Sequence, residues 1–130
     1  MKDTRPLIAV LDDEPRFCRA LARLVKTYGF DVVTFTEGNE FLAACVSRPP
    51  DCLLLDLHMP GLNGFEVLES VAVRHLPVVV ITGHDQPGNA ERVRDLGALG
   101  YFLKPVKETQ LLAAIGAAME HPPKSIAPLE

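Results

Sequence analysis

The sequence predicts an α/β fold organised around one five-stranded parallel sheet. Three observations carry this. Five short apolar runs alternate strictly with helical patterns, and such alternation builds a parallel sheet through right-handed crossovers. Within the runs apolar residues do not alternate with polar ones, the pattern of strands buried on both faces. Each of four runs ends downstream in a chemically active residue: Leu7 to Leu11 in Asp12-Asp13-Glu14, Cys52 to Leu55 in Asp56, Val78 to Ile81 in Thr82, and Tyr101 to Leu103 in Lys104-Pro105.

The first strand, β1, spans 7–11. Pro15 suits the first turn of helix α1, where its missing N–H costs nothing. Phe17, Leu21, Leu24, Val25 and Tyr28 follow at helical spacing, and Gly29 stops the helix. Strand β2 spans 31–35, and helix α2 spans 38–46 with Phe41, Leu42 and Cys45 inward, closed by Pro49-Pro50. Strand β3 is 52–55. After a loop at 59–63, helix α3 covers 64–74 with Phe65, Leu68, Val71 and Ala72 on one face. Pro77 precedes β4 at 78–81. Gln86-Pro87-Gly88 breaks the chain, and Asn89 is placed to cap a short helix α4 that ends at Leu96-Gly97 and buries Ala90, Val93 and Leu96. Strand β5 is 100–103, and α5 runs from about 107 to 119 with Leu111, Leu112, Ile115 and Met119 inward.

At 130 residues the length fits one domain, read as 1–119, followed by a tail or linker at 120–130. Residues 121–130 hold three prolines, and Leu129-Glu130 has the look of a cloning remnant. A net charge of −4 argues against direct nucleic-acid binding by this chain. Cys18, Cys45 and Cys52 lack metal or CxxC spacing and read as free thiols of a reducing compartment. No signal peptide or membrane-length apolar stretch is apparent, so a cytoplasmic protein with no membrane association is expected.

In a parallel sheet the downstream strand ends share one edge, where open α/β sheets bind ligands. Asp12, Asp13, Asp56, Thr82 and Lys104 would then meet at one crevice. Adjacent carboxylates at a buried strand end repel each other and lose solvation, and a divalent cation relieves both costs. Magnesium suits such a site, since it takes hard oxygen ligands and few protein carboxylates. Asp56 is also a possible nucleophile, because carboxylates can form aspartyl phosphates. A cis bond at Lys104-Pro105 would aim the ammonium back into the crevice. Each residue alone has a plain alternative. Asp12-Asp13 reads equally as a solvated acidic turn, Asp56 as a helix cap, Lys104 as a solvated charge and Thr82 as a good strand former. Their shared position at one sheet edge is what single-residue readings leave unexplained.

With Asp12-Asp13-Glu14, Asp56-Leu57-His58-Met59-Pro60-Gly61-Leu62-Asn63-Gly64, Thr82-Gly83, Tyr101 and Lys104-Pro105 in this order, the chain resembles the receiver domain of bacterial response regulators over about residues 6–119. The resemblance implies a doubly wound, flavodoxin-like (βα)5 receiver fold with strand order 2-1-3-4-5. It implies that Asp56 accepts a phosphoryl group from the phosphohistidine of a sensor histidine kinase or phosphotransfer protein. Mg2+ (or Mn2+) would be bound directly by Asp13 and Asp56, by the backbone carbonyl of His58, and by Asp12 through water. Lys104 would pair with the phosphoryl oxygens, Thr82 would hydrogen-bond them and move inward, and Tyr101 would follow as the aromatic switch. Gly83 would leave the group room, and His58 and His84 would modulate its lifetime. The face of α4, β5 and α5 would change, controlling a DNA-binding output domain, another partner or a phosphorylation-dependent homodimer. The weak α4 is expected to be the mobile element. Such a domain catalyses only its own phosphorylation and dephosphorylation.

Three rivals fit less well. A haloacid-dehalogenase-like phosphatase wants an Asp where this chain has His58. A cobalamin module would use Asp56-x-His58-x-x-Gly61 but leave Asp12, Asp13 and Lys104 unexplained. A pseudo-receiver would usually lack part of the acidic set, all of which is present.

Overall fold

A computed structural model describes residues 5–120. The elements alternate without exception: β1 Leu7–Leu11, α1 Pro15–Lys26, β2 Asp31–Phe35, α2 Gly38–Ser47, β3 Cys52–Leu55, α3 Gly64–Ala72, β4 Val78–Thr82, α4 Asn89–Asp95, β5 Gly100–Leu103 and α5 Glu108–Glu120. All sheet pairings are parallel, in the order β2-β1-β3-β4-β5. The chain order reverses direction across β1 and β3, and the crevice at their carboxyl ends is the topological switch point.

Burial explains the apolar runs. Every residue of β1, β3 and β4 is buried, whereas the edge strands β2 and β5 are mostly half-buried. The two faces of the sheet carry separate cores. Ile8, Val10, Leu54 and Ile81 pack with α1 and α5 through Leu21, Val25, Leu111 and Ile115. Ala9, Leu11, Leu53, Leu55 and Val80 pack with α2, α3 and α4 through Phe41, Val67, Leu68, Val71 and Val93. The three cysteines are all free and buried, behaving as small core residues.

Several expectations are corrected in detail. The inward face of α3 is Gly64, Val67, Leu68 and Val71, while Phe65 is half-buried and Ala72 exposed. Tyr28 lies beyond the end of α1, is exposed, and donates its hydroxyl to Glu108. Asn89 does not cap α4: Gly88 holds the cap position at φ +87°, and Asn89 is the first helical residue, buried. In α5 the third fully buried position is Ala118, with Leu112 and Met119 half-buried. Helix α5 includes Glu120, and the rest of the expected tail, with Leu129-Glu130, lies outside the described residues.

His75, just past α3, has φ +56° and donates its N–H to the carbonyl of Ala72. An L side chain there crowds its own carbonyl, which glycine avoids. Replacing His75 with Gly is expected to raise stability by about 0.5–1 kcal/mol, the left-handed penalty of an L residue of roughly 1–2 kcal/mol less the extra backbone entropy that glycine loses, read as a higher midpoint in thermal or urea unfolding. A lower midpoint would show that the imidazole itself stabilises the turn.

Candidate functional site

Strand geometry gathers the residues. Asp12 follows β1 and Asp56 follows β3, which are hydrogen-bonded neighbours, and the backbone N–H of Asp56 donates to the carbonyl of Leu11 at 3.0 Å. Ligand oxygens of Asp12, Asp13 and Asp56 all lie within 4.8 Å of one another. Asp12 and Asp56 are buried, at 1% and 4% relative exposure. One oxygen of Asp12 accepts from the backbone N–H of Glu14 at 2.9 Å, and the other accepts from Lys104 Nζ at 2.7 Å. The Oδ1 of Asp56 is buried with no hydrogen-bond partner among the described residues.

These surroundings set the charge states. Burial, and then the neighbouring Asp12 charge, push the Asp56 carboxyl up to about 6, against the pull of Lys104 and of the His58 backbone N–H. Burial also raises Asp12, although the hydrogen bonds from Lys104 and from the Glu14 backbone N–H oppose it. For Lys104, burial works to lower the pKa, but Asp12, Asp56 and Glu14 outweigh it and hold the ammonium charged.

Lys104 precedes Pro105 across a cis peptide bond. Its ammonium spans the crevice rim, 2.7 Å from Asp12, 3.4 Å from Glu14 Oε1, and 4.1 Å from the centroid of the Phe17 ring. Thr82 ends β4 and is fully buried. Its Oγ1 accepts from the backbone N–H of His84 at 3.2 Å, which leaves the hydroxyl proton free to donate. A methyl group at Gly83 would sit 3.8 Å from Lys104 Cδ, so this position runs beside the lysine stem. The rings of His58 and His84 meet at 4.4 Å between centroids, and His58 Nε2 is buried with no hydrogen-bond partner among the described residues. Tyr101 is half-buried on β5 and donates its hydroxyl to Asp85 at 2.8 Å.

The loop from Asp56 to α3 is held at its far end by backbone contact. The N–H of Gly64 donates to the Leu57 carbonyl, and a Cβ on Gly64 would lie 2.5 Å from both the Asp56 carbonyl oxygen and Leu57 Cα. Asn63 caps α3 by accepting from the Glu66 N–H, while Glu66 accepts from the Asn63 N–H. Gly64→Ala is therefore expected to destabilise the domain by about 1–3 kcal/mol through overpacking against backbone, measured by urea unfolding. A neutral effect would mean the loop can retreat.

The sequence reading missed four contacts: Glu14 and Phe17 around Lys104, Asp85 on Tyr101, and the Asn63–Glu66 capping box. Only the last has a local signature, Asn-x-x-Glu ahead of an apolar run.

A doubly wound sheet with an acidic cluster at its switch point, faced by a lysine and a buried threonine, defines the signalling-domain class to which the comparisons point. A solved response regulator receiver domain protein (CheY-like) from Methanospirillum hungatei superposes with a TM-score of 0.85 at 23% identity, covering 90% of this chain and 95% of that one. The DNA-binding transcriptional regulator NtrC of Salmonella typhimurium is 35% identical over 119 residues, covering 90% of this chain and 25% of the relative. Response regulator protein TodT of Pseudomonas putida is 32% identical over 126 residues, covering 95% of this chain and 56% of the relative. The model of the response regulator receiver domain matches residues 8–116, and the chain belongs to that family. It spans only a quarter to about half of the length of these two curated relatives. No helix among the described residues is long and apolar enough to cross a membrane.

Proposed function

We propose that this chain is the phosphoacceptor domain of a two-component system, with Asp56 as the acceptor. The observation that carries the reading is the buried Oδ1 of Asp56, without a hydrogen-bond partner among the described residues, beside the carboxylates of Asp12 and Asp13. A buried carboxylate oxygen without a donor is costly unless a cation or an incoming group meets it. The donor would be the phosphohistidine of a sensor histidine kinase or phosphotransfer protein. A carboxylate oxygen of Asp56 attacks phosphorus, the P–N bond breaks, and the imidazole leaves with that electron pair.

The donor set fits a hard divalent cation, Mg2+ or Mn2+: three carboxylates with oxygens in mutual reach. Asp13, Asp56 and the His58 carbonyl would hold it directly and Asp12 through water, and it would supply neutralisation of phosphoryl charge. The protein's own part is positioning, which phosphoryl transfer chiefly demands. The Lys104 ammonium reaches the crevice and would trade its bond with Asp12 for phosphoryl oxygens. Thr82, its hydroxyl proton free, would donate to the same group, and Tyr101 would follow into the space vacated. Gly83, His58 and His84 would set access of water and so the lifetime of the acyl phosphate.

The output would travel through α4, β5 and α5. Leu99, 44% exposed, lines a groove with Phe102, Ala113, Ala114 and Ala117, and Leu103 on β5 is 46% exposed. That face suits a homodimer, or an output domain such as the DNA-binding part that the name of the NtrC relative describes. Residues 1–119 would form the receiver, 120–130 a tail or linker, and the setting would be cytoplasmic.

Incubation with acetyl phosphate and Mg2+ tests the acceptor. A mass gain of one phosphoryl group, absent in Asp56→Asn, is expected. An unchanged gain in that variant would move the acceptor elsewhere, and no gain in the native chain would end the reading.

A further inference from the structure

Helix α4 is only 7 residues long and fully buries one apolar side chain, Val93. Helices this short have little stability of their own. It is bracketed by Gly88 at φ +87° and Gly97 at φ +104°, so both ends are turns at which the helix can pivot. Beyond that core residue and the half-buried Ala90 and Leu96, side-chain contacts also hold it, Asn89 facing the Tyr101 hydroxyl among them. Ahead of α4, Asp85 accepts the Tyr101 hydroxyl. On α4 itself, the guanidinium carbon of Arg92 lies 3.8 Å from the centroid of the Phe65 ring. At that distance the cation sits on the negative face of the ring. Arg92 is exposed and makes no ion pair among the described residues, so the ring is what fixes it.

Phe65 is itself tied to the acceptor. It follows Gly64, whose N–H bonds the Leu57 carbonyl at 3.0 Å and where a Cβ would come within 2.5 Å of the Asp56 carbonyl oxygen and Leu57 Cα. Asn63 and Glu66 lock the same helical turn. The route from Asp56 to α4 is therefore short: the 57–64 loop, the first turn of α3, the Phe65 ring, the Arg92 guanidinium.

We propose that Arg92 on α4 and Phe65 on α3 form a latch that sets how often α4 leaves its seat, and hence how readily the domain reaches its switched state. The second half rests on the phosphoacceptor reading of Asp56; the first does not. Neither residue touches the crevice groups, so the latch acts on the conformational equilibrium and not on the chemistry.

Amide hydrogen exchange on the unphosphorylated chain tests the latch itself. Arg92→Gln and Phe65→Leu should each speed exchange across residues 90–96 by about two- to fivefold, the size of an exposed cation–π contact, while amides of α1 stay unchanged. The double variant should exchange no faster than the quicker single one, because both changes remove one shared interaction. Unchanged exchange in α4 for Arg92→Gln, or additive effects in the double variant, overturns the latch. Phosphorylation by acetyl phosphate tests the coupling. Arg92→Gln should reach half-saturation at a donor concentration lower by the same factor, since linkage is reciprocal. Faster exchange with an unshifted half-saturation keeps the contact but refutes its role in switching. A native chain that takes no phosphoryl group refutes the acceptor reading and leaves the exchange result standing.

Discussion

Asp56→Asn is expected to abolish phosphoryl incorporation from acetyl phosphate and at the same time to stabilise the domain when divalent cations are removed. The two effects share one cause. The carboxylate is almost fully buried, and burial together with the Asp12 charge has raised it to about 6. An acid held above its ordinary range binds a proton more tightly in the folded state than in the unfolded one. At pH 7 the folded chain must therefore keep an ionised group where it is disfavoured. A shift of that size corresponds to roughly 1–3 kcal/mol. Asparagine keeps the shape, removes the charge, and leaves Asp12 facing Lys104 alone. Its amide oxygen is a poor nucleophile, so acyl phosphate formation is lost. Mass spectrometry and thermal unfolding in EDTA on the same preparation read both effects. Incorporation lost with lower stability would show that the carboxylate is held by contacts the structure does not show. Incorporation retained would show that another residue is the acceptor.

The sheet was legible because strands buried on both faces must be apolar throughout. Ile8 to Leu11, Leu53 to Leu55 and Val78 to Ile81 have no solvent side on which to carry a polar residue. Their order in the sheet was not contained in that pattern and came from the family resemblance. Helix α3 shows what periodicity cannot decide. Phe65 is more hydrophobic than Val67, yet Val67 is fully buried and Phe65 is not. The rotation is set by Gly64, whose missing side chain lets the first turn lie against the Asp56–Leu57 backbone. A hydrophobic face inferred from side chains alone has no access to such backbone contact. Helix α4 differs from expectation for a related reason. The φ of Gly88 permits a left-handed cap, so the cap falls one residue earlier and frees Asn89 to enter the helix buried.

The site was legible as a set and not as a wiring diagram. Asp12, Asp13, Asp56, Thr82 and Lys104 were each recognisable at a strand end, and parallel pairing brings those ends together. Which of them contact each other was not. Lys104 bonds Asp12 and Glu14, residues 92 and 90 positions away along the chain. The seat of its ammonium over Phe17 depends on how α1 packs on β1. Arg92 on Phe65 is a contact of the same kind, between helices whose local sequences carry no sign of each other.

The strongest condition dependence expected concerns protons and divalent cations, which compete for the same carboxylates. Without metal, Asp56 and Asp12 both carry raised values. Between the ordinary carboxylate range near 4 and the Asp56 value of about 6, the folded state binds more protons than the unfolded one. Stability from Asp56 should therefore fall as pH rises through that window and stay flat above it, and Asp12, raised too, acts in the same direction. Mg2+ reverses the sign, because it binds the ionised form and only the folded chain presents the three carboxylates together. At pH 7.5 added Mg2+ should raise the unfolding midpoint, and below about pH 6 its apparent affinity should weaken about tenfold per unit as one proton displaces it. Asp13→Asn should lower the affinity by at least the roughly 10- to 100-fold that losing even an outer partner of a metal site costs, while shifting the metal-free pH profile only slightly downward, since Asp13 is the smallest of the causes that raise Asp12 and Asp56. Calorimetric Mg2+ titrations at pH 5, 6 and 7.5, paired with thermal melts in EDTA, separate these outcomes. An affinity independent of pH across that range would mean that Asp56 is not among the ligands, and the carboxylate cluster would then be a solvated turn that happens to line a crevice.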